Sequence, residues 1–381
     1  MAVGRELRLG IVAGEVSGDR LGAALLHALG ERGVVPAAFG MAGAAMRAAG
    51  CEPLARAEEL SVMGLVEVVQ AYPRLWSLRQ RLGDALFAAR PDVVVGIDVP
   101  DFTLGLERRL KLAGVPTVHW VCPQAWAWRE GRAADIRTAV DRLLALFPFE
   151  VEFFSRRGIA TEFVGHPLAD QLPLEPQRAA ARQALALAGD RPVLALMPGS
   201  RSQELAQLLS LFISAARIVH GCRPGMQVIV CTINEEHARR VREALGGLPA
   251  GVYVGNSQQV LTAADVVLAA SGTVTLEALL CGTPMVVGYR MAPLSYHIIR
   301  RMVKIPRIAL PNILAARDLV PELLQSALTP AALAEAALAW FDQPDRRDDF
   351  VRTSRELHAS LRRDAAGRAA EAVLRVAGVS G

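Results

Sequence analysis

The sequence predicts an α/β fold built from two doubly wound, Rossmann-like domains. Short, wholly apolar runs alternate along the chain with segments that have the spacing of amphipathic helices. Strands that are apolar along their whole length are typical of a parallel sheet covered by helices on both faces. The alternation pauses once, at the polar, proline-bearing stretch 166–177, and then starts again. Two such series on either side of a linker indicate two doubly wound domains.

The first domain is expected to span residues 1–170 and the second residues 171–344. In the first, strands are predicted at 7–14, 34–40, 92–98, 116–122, 142–148 and 161–167. In the second, strands are predicted at 192–198, 226–232, 251–256, 265–271 and 284–290. The remaining segment, 345–381, is rich in alanine and arginine, so it is predicted to be helical and could pack back on the first domain.

Composition excludes several classes of protein. The chain has 42 Lys and Arg against 38 Asp and Glu, a net charge of +4, and no basic block with interleaved aromatic residues. A nucleic acid is therefore not an expected partner. The five cysteines form no Cys-x-x-Cys pair and no zinc-ligand spacing, which indicates free thiols in a reducing compartment. No window approaches the ~20 apolar residues of a transmembrane helix, so we expect a protein that is soluble or lies on a membrane.

The segment 61–82 combines apolar residues at helical spacing with tryptophan and arginine. Pro73 lies inside it and would bend or divide the helix. An apolar helical stripe usually belongs to a core, but this composition also suits a helix that lies in a membrane interface. The residues that would face a membrane or an acyl chain are Leu65, Val68, Val69, Tyr72, Leu75 and Trp76.

In the first domain, candidate chemistry follows the first and third strands, because ligands of open α/β sheets bind at the carboxyl ends of strands. Ser17 and Gly18 lie in a small-residue turn that suits either a ligand close to backbone amides or tight helix–strand packing. Asp98 directly follows an apolar strand, and a partly buried carboxylate there can act as a general base. Asp101 is interpreted as a first-turn acid of the next helix, and His119 as a core residue. No third acid or histidine lies near in sequence, so a metal site is not expected.

In the second domain, the strand "LALMP" runs into Gly199, Ser200 and Arg201, and a helix begins near Ser202. The free amides and dipole of the helix start, together with the arginine fork, suit a phosphate or a diphosphate. Helix capping alone would explain the same residues.

A second turn of this kind follows a later strand. Ser271, Gly272 and Thr273 turn the chain, and Glu277 lies four residues after Thr273, on the same helix face. A carboxylate in that place can accept hydrogen bonds from a ribose diol while the turn amides meet phosphate. Two turns that suit anions in one domain predict a binding site for a nucleotide diphosphate. Asn312, in a Leu-Pro-Asn triplet, is either a polar group of the site or a turn asparagine.

A series of motifs in a fixed order resembles the lipid-A-disaccharide synthase family over nearly the whole chain. The motifs are "AGEVSGDRLGAALLHAL", "EELSVMGLVEVV", "GIDVPDFTLGLERRLK", "WAWRE", "LALFPFE", "FVGHPLAD", "MPGSR", "ASGTVTLEALL", "PMVVGYR" and "ALPNILA…LVPELLQ". The chain departs from the family's usual pattern at Ala44 and Cys122.

The resemblance implies a GT-B fold, with the two domains facing each other across a cleft. It implies transfer of 2,3-diacylglucosamine from its UDP derivative to 2,3-diacylglucosamine 1-phosphate, with inversion, giving a β-1,6-linked disaccharide 1-phosphate and UDP. No cofactor and no metal are expected. Asp98 would take the proton of the acceptor's 6-hydroxyl, and Arg201 would neutralise charge on the diphosphate. The residues expected to bind substrate or UDP are Ser17, Gly18, Gly199, Ser200, Ser271, Gly272, Thr273, Glu277, Asn312 and Gln325.

Because both implied substrates carry acyl chains, the resemblance favours the membrane interpretation of the segment 61–82. It implies a cytoplasmic protein on the inner face of the inner membrane, with an anionic membrane surface as a partner, and it is compatible with a homodimer. Two alternatives stay open at this point. One is a UDP-sugar epimerase of the same fold, and the other is a non-catalytic protein that binds a UDP-sugar or a membrane.

Overall fold

The computed structural model describes residues 7–60, 65–128, 131–291 and 306–379, apart from the side chains of residues 65–71 and 127–128. It divides the chain into two compact units. One unit consists of Met1–Asp170 with Leu361–Gly381, and the other of Gln171–Ser360. The boundary in the C-terminal segment thus lies after residue 360, later than the sequence-based boundary at 344.

The strands form two wholly parallel sheets, one in each unit. The seven-stranded sheet of the first unit has the order β3-β2-β1-β4-β5-β6-β7, and the six-stranded sheet of the second has the order β10-β9-β8-β11-β12-β13. Their bounds are β1 (Leu7–Ala13), β2 (Pro36–Ala42), β3 (Glu52–Arg56), β4 (Val93–Ile97), β5 (Thr117–Trp120), β6 (Arg142–Ala145), β7 (Thr161–Phe163), β8 (Val193–Met197), β9 (Gln227–Thr232), β10 (Ala250–Val254), β11 (Val266–Ala270), β12 (Met285–Tyr289) and β13 (Glu322–Leu324).

Helices connect the strands and follow the last of them, and two short 3-10 turns occur at Ala57–Leu60 and Gln325–Ala327. The helices are α1 (Val16–Glu31), α2 (Ala44–Ala48), α3 (Leu65–Ala88), α4 (Pro100–Leu112), α5 (Ala125–Trp128), α6 (Arg132–Ala139), α7 (Pro148–Ser155), α8 (Pro167–Gln171), α9 (Arg178–Ala184), α10 (Ser202–Cys222), α11 (Glu235–Leu245), α12 (Ser257–Ala263), α13 (Thr273–Leu280), α14 (Leu310–Leu314), α15 (Pro330–Asp342), α16 (Pro344–Leu361) and α17 (Ala365–Val376).

Each predicted strand corresponds to a strand of the structure, and the fold class is confirmed. The central strands are buried throughout, as in β4 and β11, which is the property that made them visible as apolar runs. The structure adds β3 and β13, which the sequence did not predict. Both are edge strands with partly or largely exposed side chains, so neither carries a continuous apolar run.

The C-terminal segment is shared between the two units. α16 belongs to the second unit, where the Ser354 hydroxyl donates to the Leu279 carbonyl and Trp340 meets Phe350 edge to face at 5.6 Å. α17 packs against α1 and against the sheet of the first unit. Asp170 caps its start by accepting hydrogen bonds from the amides at 363–365, including Ala365 at 2.7 Å.

Within the described part of the chain, one helix, α10, is long and apolar enough to cross a membrane by length and composition. The sequence-based statement that no segment reaches that threshold therefore needs correction. α10 packs against α11 and α15 in the second unit, and its apolar face, including Phe212 and Ile213, is buried there. Its hydropathy has an ordinary physical cause, since it is a core helix that covers a sheet.

Candidate functional site

In the first unit, the topology brings two of the predicted site segments to one edge of the sheet. β1 and β4 are neighbours, with Ala13 paired to Ile97. Ser17, in the first turn of α1, and the turn that holds Asp98 therefore follow adjacent strands, at their carboxyl ends.

Gly18 is buried at this edge of the sheet. A Cβ at Gly18 would lie 3.4 Å from each of the Ala13 Cβ and the Ile97 carbonyl oxygen, so the start of α1 packs directly against both strands. Ser17, one residue earlier, is exposed. The sequence offered ligand approach and tight packing as alternatives for this turn. The structure gives Gly18 the packing role and leaves Ser17 accessible to a ligand.

Asp98 and Val99 form a strained turn between β4 and α4. Their φ angles are +53° and +46°, a left-handed conformation that asparagine and aspartate tolerate but that is unusual for a β-branched residue such as valine. Each such residue costs about 1–3 kcal/mol and persists only where its surroundings hold it. Here the Asp98 amide donates to the Trp120 carbonyl at 3.0 Å, and the Thr103 hydroxyl donates to the carbonyls of Asp98 and Val99 at 2.9 and 3.1 Å.

This turn presents a carboxylate at the edge of the sheet. Asp98 is half-buried, and its Oδ1 accepts the Val99 amide at 2.8 Å. Among the described residues, none donates to Oδ2, so one oxygen fixes the side chain while the other can meet a proton donor. Asp101, in the first turn of α4, is exposed and paired with Arg132. The described residues contain no group of three or more metal-ligating side chains.

In the second unit, the side chain of Glu204 closes the turn after β8. The Glu204 Oε2 atom accepts the amides of Ser200 and Arg201 at 3.1 and 3.3 Å. Gly199 has a φ of +112°, and a Cβ there would lie 2.6 Å from the Glu204 Cβ. The amides that were expected to bind phosphate thus serve to cap α10, and Gly199 makes room for the cap.

The Arg201 side chain itself remains available. Its side chain is 83% exposed, and its Nη1 lies 3.1 Å from Glu204 Oε1. An exposed guanidinium at the start of a helix can still reach an anionic ligand. Arg201 is therefore the cationic group of this turn, whereas the backbone of the turn is already satisfied.

Glu277 lies on α13, whose first residue is Thr273, next to the end of β11. The Ser257 hydroxyl donates to Glu277 Oε2 at 2.8 Å, and burial raises the pKa of Glu277. Gly272 and Thr273 are exposed, whereas the Ser271 amide is bonded to the Gly288 carbonyl at 3.2 Å. The structure thus holds one oxygen of Glu277 in place beside an accessible helix start.

Asn312 is fully engaged inside the second unit. Its Nδ2 donates to the Val320 carbonyl at 2.9 Å and to Glu322 Oε1 at 2.7 Å, and its Oδ1 accepts the Val320 amide at 2.8 Å. The side chain is buried, so neither amide hydrogen is left for a ligand. Asn312 instead ties α14 to the start of β13, which is a correction to its expected place as a polar group facing a ligand.

Gln325 follows the carboxyl end of β13 and has a φ of +51°. Its carbonyl accepts a hydrogen bond from Arg290 at 3.0 Å. With its amide oriented to donate to the Met291 carbonyl, the side chain bonds both backbone groups of Met291, at 3.2 and 3.3 Å. Gln325 thus lies at the same edge of the sheet as the turns after β8 and β11.

The apolar helix of the first unit is continuous, although the sequence left open whether Pro73 would divide it. α3 includes Pro73. Tyr72 and Trp76 are 63% and 51% exposed and, with Pro73 and Ser77, line a shallow open depression. Leu75 is half-buried, while the side chains of Leu65, Val68 and Val69 lie outside the described set. Farther along, Leu78, Leu82 and Leu86 are buried, so the core interpretation holds for the second half of the helix.

Two residues that shape the site, Ser257 and Glu204, have no predicted part in it, and the reasons differ. Ser257 begins α12 and lies 20 residues before its partner Glu277, so no local spacing connects them. Glu204 is three residues after Arg201, the spacing of a capping box. That spacing indicates from the sequence that the Glu204 carboxylate bonds the amides of this turn.

Comparison with known proteins gives consistent results. A family model described as lipid-A-disaccharide synthetase matches residues 9–376. The lipid-A-disaccharide synthase of Pseudomonas paraeruginosa is 48% identical over 97% of this chain and 98% of the relative. That of Sodalis glossinidius is 46% identical over 97% of this chain and 98% of the relative.

Two solved structures share the fold at low identity. The UDP-GlcNAc 2-epimerase of Neisseria meningitidis has a TM-score of 0.66 and 11% identity, covering 97% of this chain and 100% of that one. The calicheamicin glycosyltransferase CalG4 has a TM-score of 0.59 and 18% identity, covering 98% and 99%. These likenesses show the GT-B fold, which glycosyltransferases and epimerases share.

Proposed function

The chain belongs to the lipid-A-disaccharide synthase family and is a glycosyltransferase of lipid A biosynthesis, and we propose the substrates and the course of its reaction. The donor is UDP-2,3-diacylglucosamine and the acceptor is 2,3-diacylglucosamine 1-phosphate. The products are the β-1,6-linked disaccharide 1-phosphate and UDP. The single observation that carries the proposal is the strained turn that holds a half-buried Asp98 carboxylate at the edge of the first sheet.

The proposed step is a direct displacement with inversion. The acceptor's 6-hydroxyl oxygen forms a bond to the anomeric carbon of the donor while the bond from that carbon to the UDP oxygen breaks. The hydroxyl proton passes to Asp98, and the bonding pair leaves with UDP. A single base on the side opposite the leaving group is sufficient for this outcome.

At the leaving group, charge develops on the diphosphate. Arg201 carries an exposed guanidinium, which can neutralise that charge as the bond breaks. Glu277, with one oxygen held by Ser257, offers its other oxygen to the ribose diol, and the accessible start of α13 at Thr273 meets phosphate.

Four other predicted residues have lesser roles in the proposed reaction: Ser17, Gln325, Gly199 and Asn312. Ser17 is accessible at the edge that also holds Asp98, which suits a contact with the acceptor. Gln325 suits a contact with the donor sugar. Gly199 and Asn312 shape the backbone of the second unit and act indirectly, because their contacts lie within the protein.

A UDP-sugar epimerase is not favoured as an alternative. The epimerase of Neisseria meningitidis shares the fold at 11% identity, and fold alone does not determine function. The synthases share 46–48% identity over nearly the whole chain. A non-catalytic binding protein is likewise disfavoured, because the relatives with 46–48% identity over nearly the whole chain are named as synthases.

The proposal is tested by incubating the purified protein with both lipid substrates and following the disaccharide 1-phosphate and UDP. We expect one UDP for each disaccharide, and neither product when the acceptor is omitted. Conversion of the UDP-sugar to an epimer without acceptor would overturn the transferase assignment. Failure to form disaccharide, with UDP binding intact, would indicate the non-catalytic alternative.

Membrane association follows from the same substrates. Both carry acyl chains, so the enzyme must meet them at a membrane surface, and the exposed Tyr72 and Trp76 offer aromatic side chains suited to the interface. We propose that the protein is peripheral, on the cytoplasmic face where the UDP-sugar is present. Its net charge of +4 would favour an anionic surface.

Replacing Tyr72 and Trp76 together with serine is expected to weaken binding to anionic phospholipid vesicles about 100-fold. Each large apolar side chain contributes about 1.5 kcal/mol when it leaves water, which is about tenfold in partitioning. Vesicle co-sedimentation measures the change. Phe87→Ser is the matched control, since Phe87 lies on the same helix with 54% exposure. Equal vesicle binding by the double variant and this control would show that Tyr72 and Trp76 do not contact the membrane.

A further inference from the structure

A pair of ionisable side chains, Glu107 and His119, is buried in the first unit and has no place in the reaction described above. Glu107 lies on α4 and His119 on β5, with side-chain exposures of 1% and 0%. The His119 Nδ1 lies 2.9 and 3.1 Å from the two carboxylate oxygens of Glu107. Nδ1 therefore carries the hydrogen and donates it to the carboxylate.

The fold makes special room for this pair. In the register of the sheet, His119 lies beside Gly96 of β4. A Cβ at Gly96 would lie 2.0 Å from Glu107 Oε1, so only glycine leaves space for the carboxylate above the strand. The His119 Nε2 has no partner among the described residues. The hydrogen bond to Glu107 is then the one polar link of the ring within the described part of the chain.

Burying such a pair is not a favourable way to gain stability, because the cost of removing the two side chains from water offsets much of the attraction between them. A buried polar pair is better explained when it fixes the position of neighbouring backbone. The neighbouring backbone here is the Asp98–Val99 turn, which is strained and must be held by its surroundings.

The pair joins the two elements that hold the turn. The Asp98 amide is bonded by the Trp120 carbonyl, and Trp120 follows His119 on β5. The Asp98 carbonyl is bonded by the Thr103 hydroxyl, and Thr103 lies one helical turn before Glu107 on α4. The link between Glu107 and His119 therefore closes a loop of contacts around the backbone of Asp98.

We propose that Glu107 and His119 are positioning residues for Asp98, an inference that rests on the proposed function of that carboxylate. The pair fixes α4 against β5, and this keeps both backbone bonds of Asp98 in place, so that its carboxylate points to the edge of the sheet. Neither residue touches substrate. Without the pair, α4 and β5 can shift relative to each other, and the turn relaxes toward ordinary backbone angles.

The test replaces the pair by apolar residues of similar size, in the double variant Glu107→Met with His119→Leu. This change leaves no unpaired buried charge, so the variant is expected to fold. Misplacing a catalytic group by about 1 Å can cost about 100-fold in rate. We expect kcat for disaccharide formation to fall by about that factor, with KM for both substrates within about threefold of the unsubstituted protein.

A conservative variant provides the rescue. The amide nitrogen of asparagine occupies nearly the same place as Nδ1 of histidine, so His119→Asn keeps the donor to Glu107 and is expected to retain kcat within about threefold. Thr117→Val is the matched control, because Thr117 is buried on the same strand and donates to the Ala139 carbonyl at its far end. It should lower stability without lowering kcat.

Hydrogen–deuterium exchange of residues 97–103 gives a readout that does not depend on activity. Exchange of this segment should be faster in the double variant and unchanged in His119→Asn and Thr117→Val. A folded double variant with unchanged kcat and unchanged exchange would overturn the inference. If the unsubstituted protein forms no disaccharide, the proposed function fails, whereas the exchange result still decides whether the pair holds the turn.

Discussion

Replacing Asp98 with asparagine is expected to lower kcat for disaccharide formation by about 10²- to 10⁴-fold, the range for loss of a general base. The affinity for UDP should be unchanged, because the predicted UDP residues lie in the other unit. Asparagine is the informative substitution, since it tolerates the left-handed backbone of this turn. Its Oδ1 can still accept the Val99 amide, so the substitution removes the basic group and keeps the turn.

The control for this variant is Asp101→Asn, which removes a carboxylate three residues away that is exposed and paired with Arg132. We expect that variant to retain kcat within about twofold, because surface ion pairs contribute little. Steady-state kinetics with both lipid substrates and calorimetric titration with UDP measure the two effects. An Asp98→Asn enzyme with undiminished kcat would show that another group accepts the proton.

Replacing Arg201 with alanine should lower kcat and kcat/KM together by about 10²- to 10³-fold, which is typical when a donor to developing negative charge is lost. The guanidinium is exposed, so its role in stability is small. The backbone amide of residue 201 still donates to Glu204 in the variant, and the start of α10 stays capped. The loss therefore reports on the diphosphate and not on folding.

Two further variants sharpen this prediction. Arg201→Lys keeps the charge but loses the bidentate fork, so it should recover only part of the activity. Arg242→Ala removes another exposed arginine of the second unit, 3.2 Å from Glu235, and should leave kcat unchanged. If Arg201→Ala and Arg242→Ala behaved alike in single-turnover kinetics, Arg201 would have no part in stabilising the leaving group.

The strands of both sheets could be predicted wherever burial is complete. In β4, all the residues from Val93 to Ile97 are buried, and the sequence there is an uninterrupted apolar run. The edge strand β3 is largely exposed and carries no such run, so its place depends on pairing with β2. Pairing along a sheet edge is set by backbone hydrogen bonds, which leave little trace in residue type.

The site could be predicted only in part, for a related reason. The position of Asp98 after an apolar strand, and of Glu277 in the helix that follows another, indicated that both carboxylates lie near the carboxyl ends of strands. The sequence does not show that the amides after β8 and the side chain of Asn312 are hydrogen-bonded within the protein. The same types of turn residue occur where a turn binds a ligand and where it bonds only to the protein. Only the Glu204 and Glu322 contacts distinguish the two.

By itself, the sequence determined the α/β class, the two repeating series of strands and helices, the family, and the carboxylates available for chemistry. These features depend on hydrophobic periodicity and on residue types close together along the chain. The tertiary structure alone decided which groups are free to act. It brings Ser257 into hydrogen-bond contact with Glu277, 20 residues away, and it bonds the amides of the 199–201 turn to Glu204. It also holds Asp98 in a strained turn near the buried pair of Glu107 and His119. Such contacts join residues that are distant in sequence, and they form only when separate elements pack.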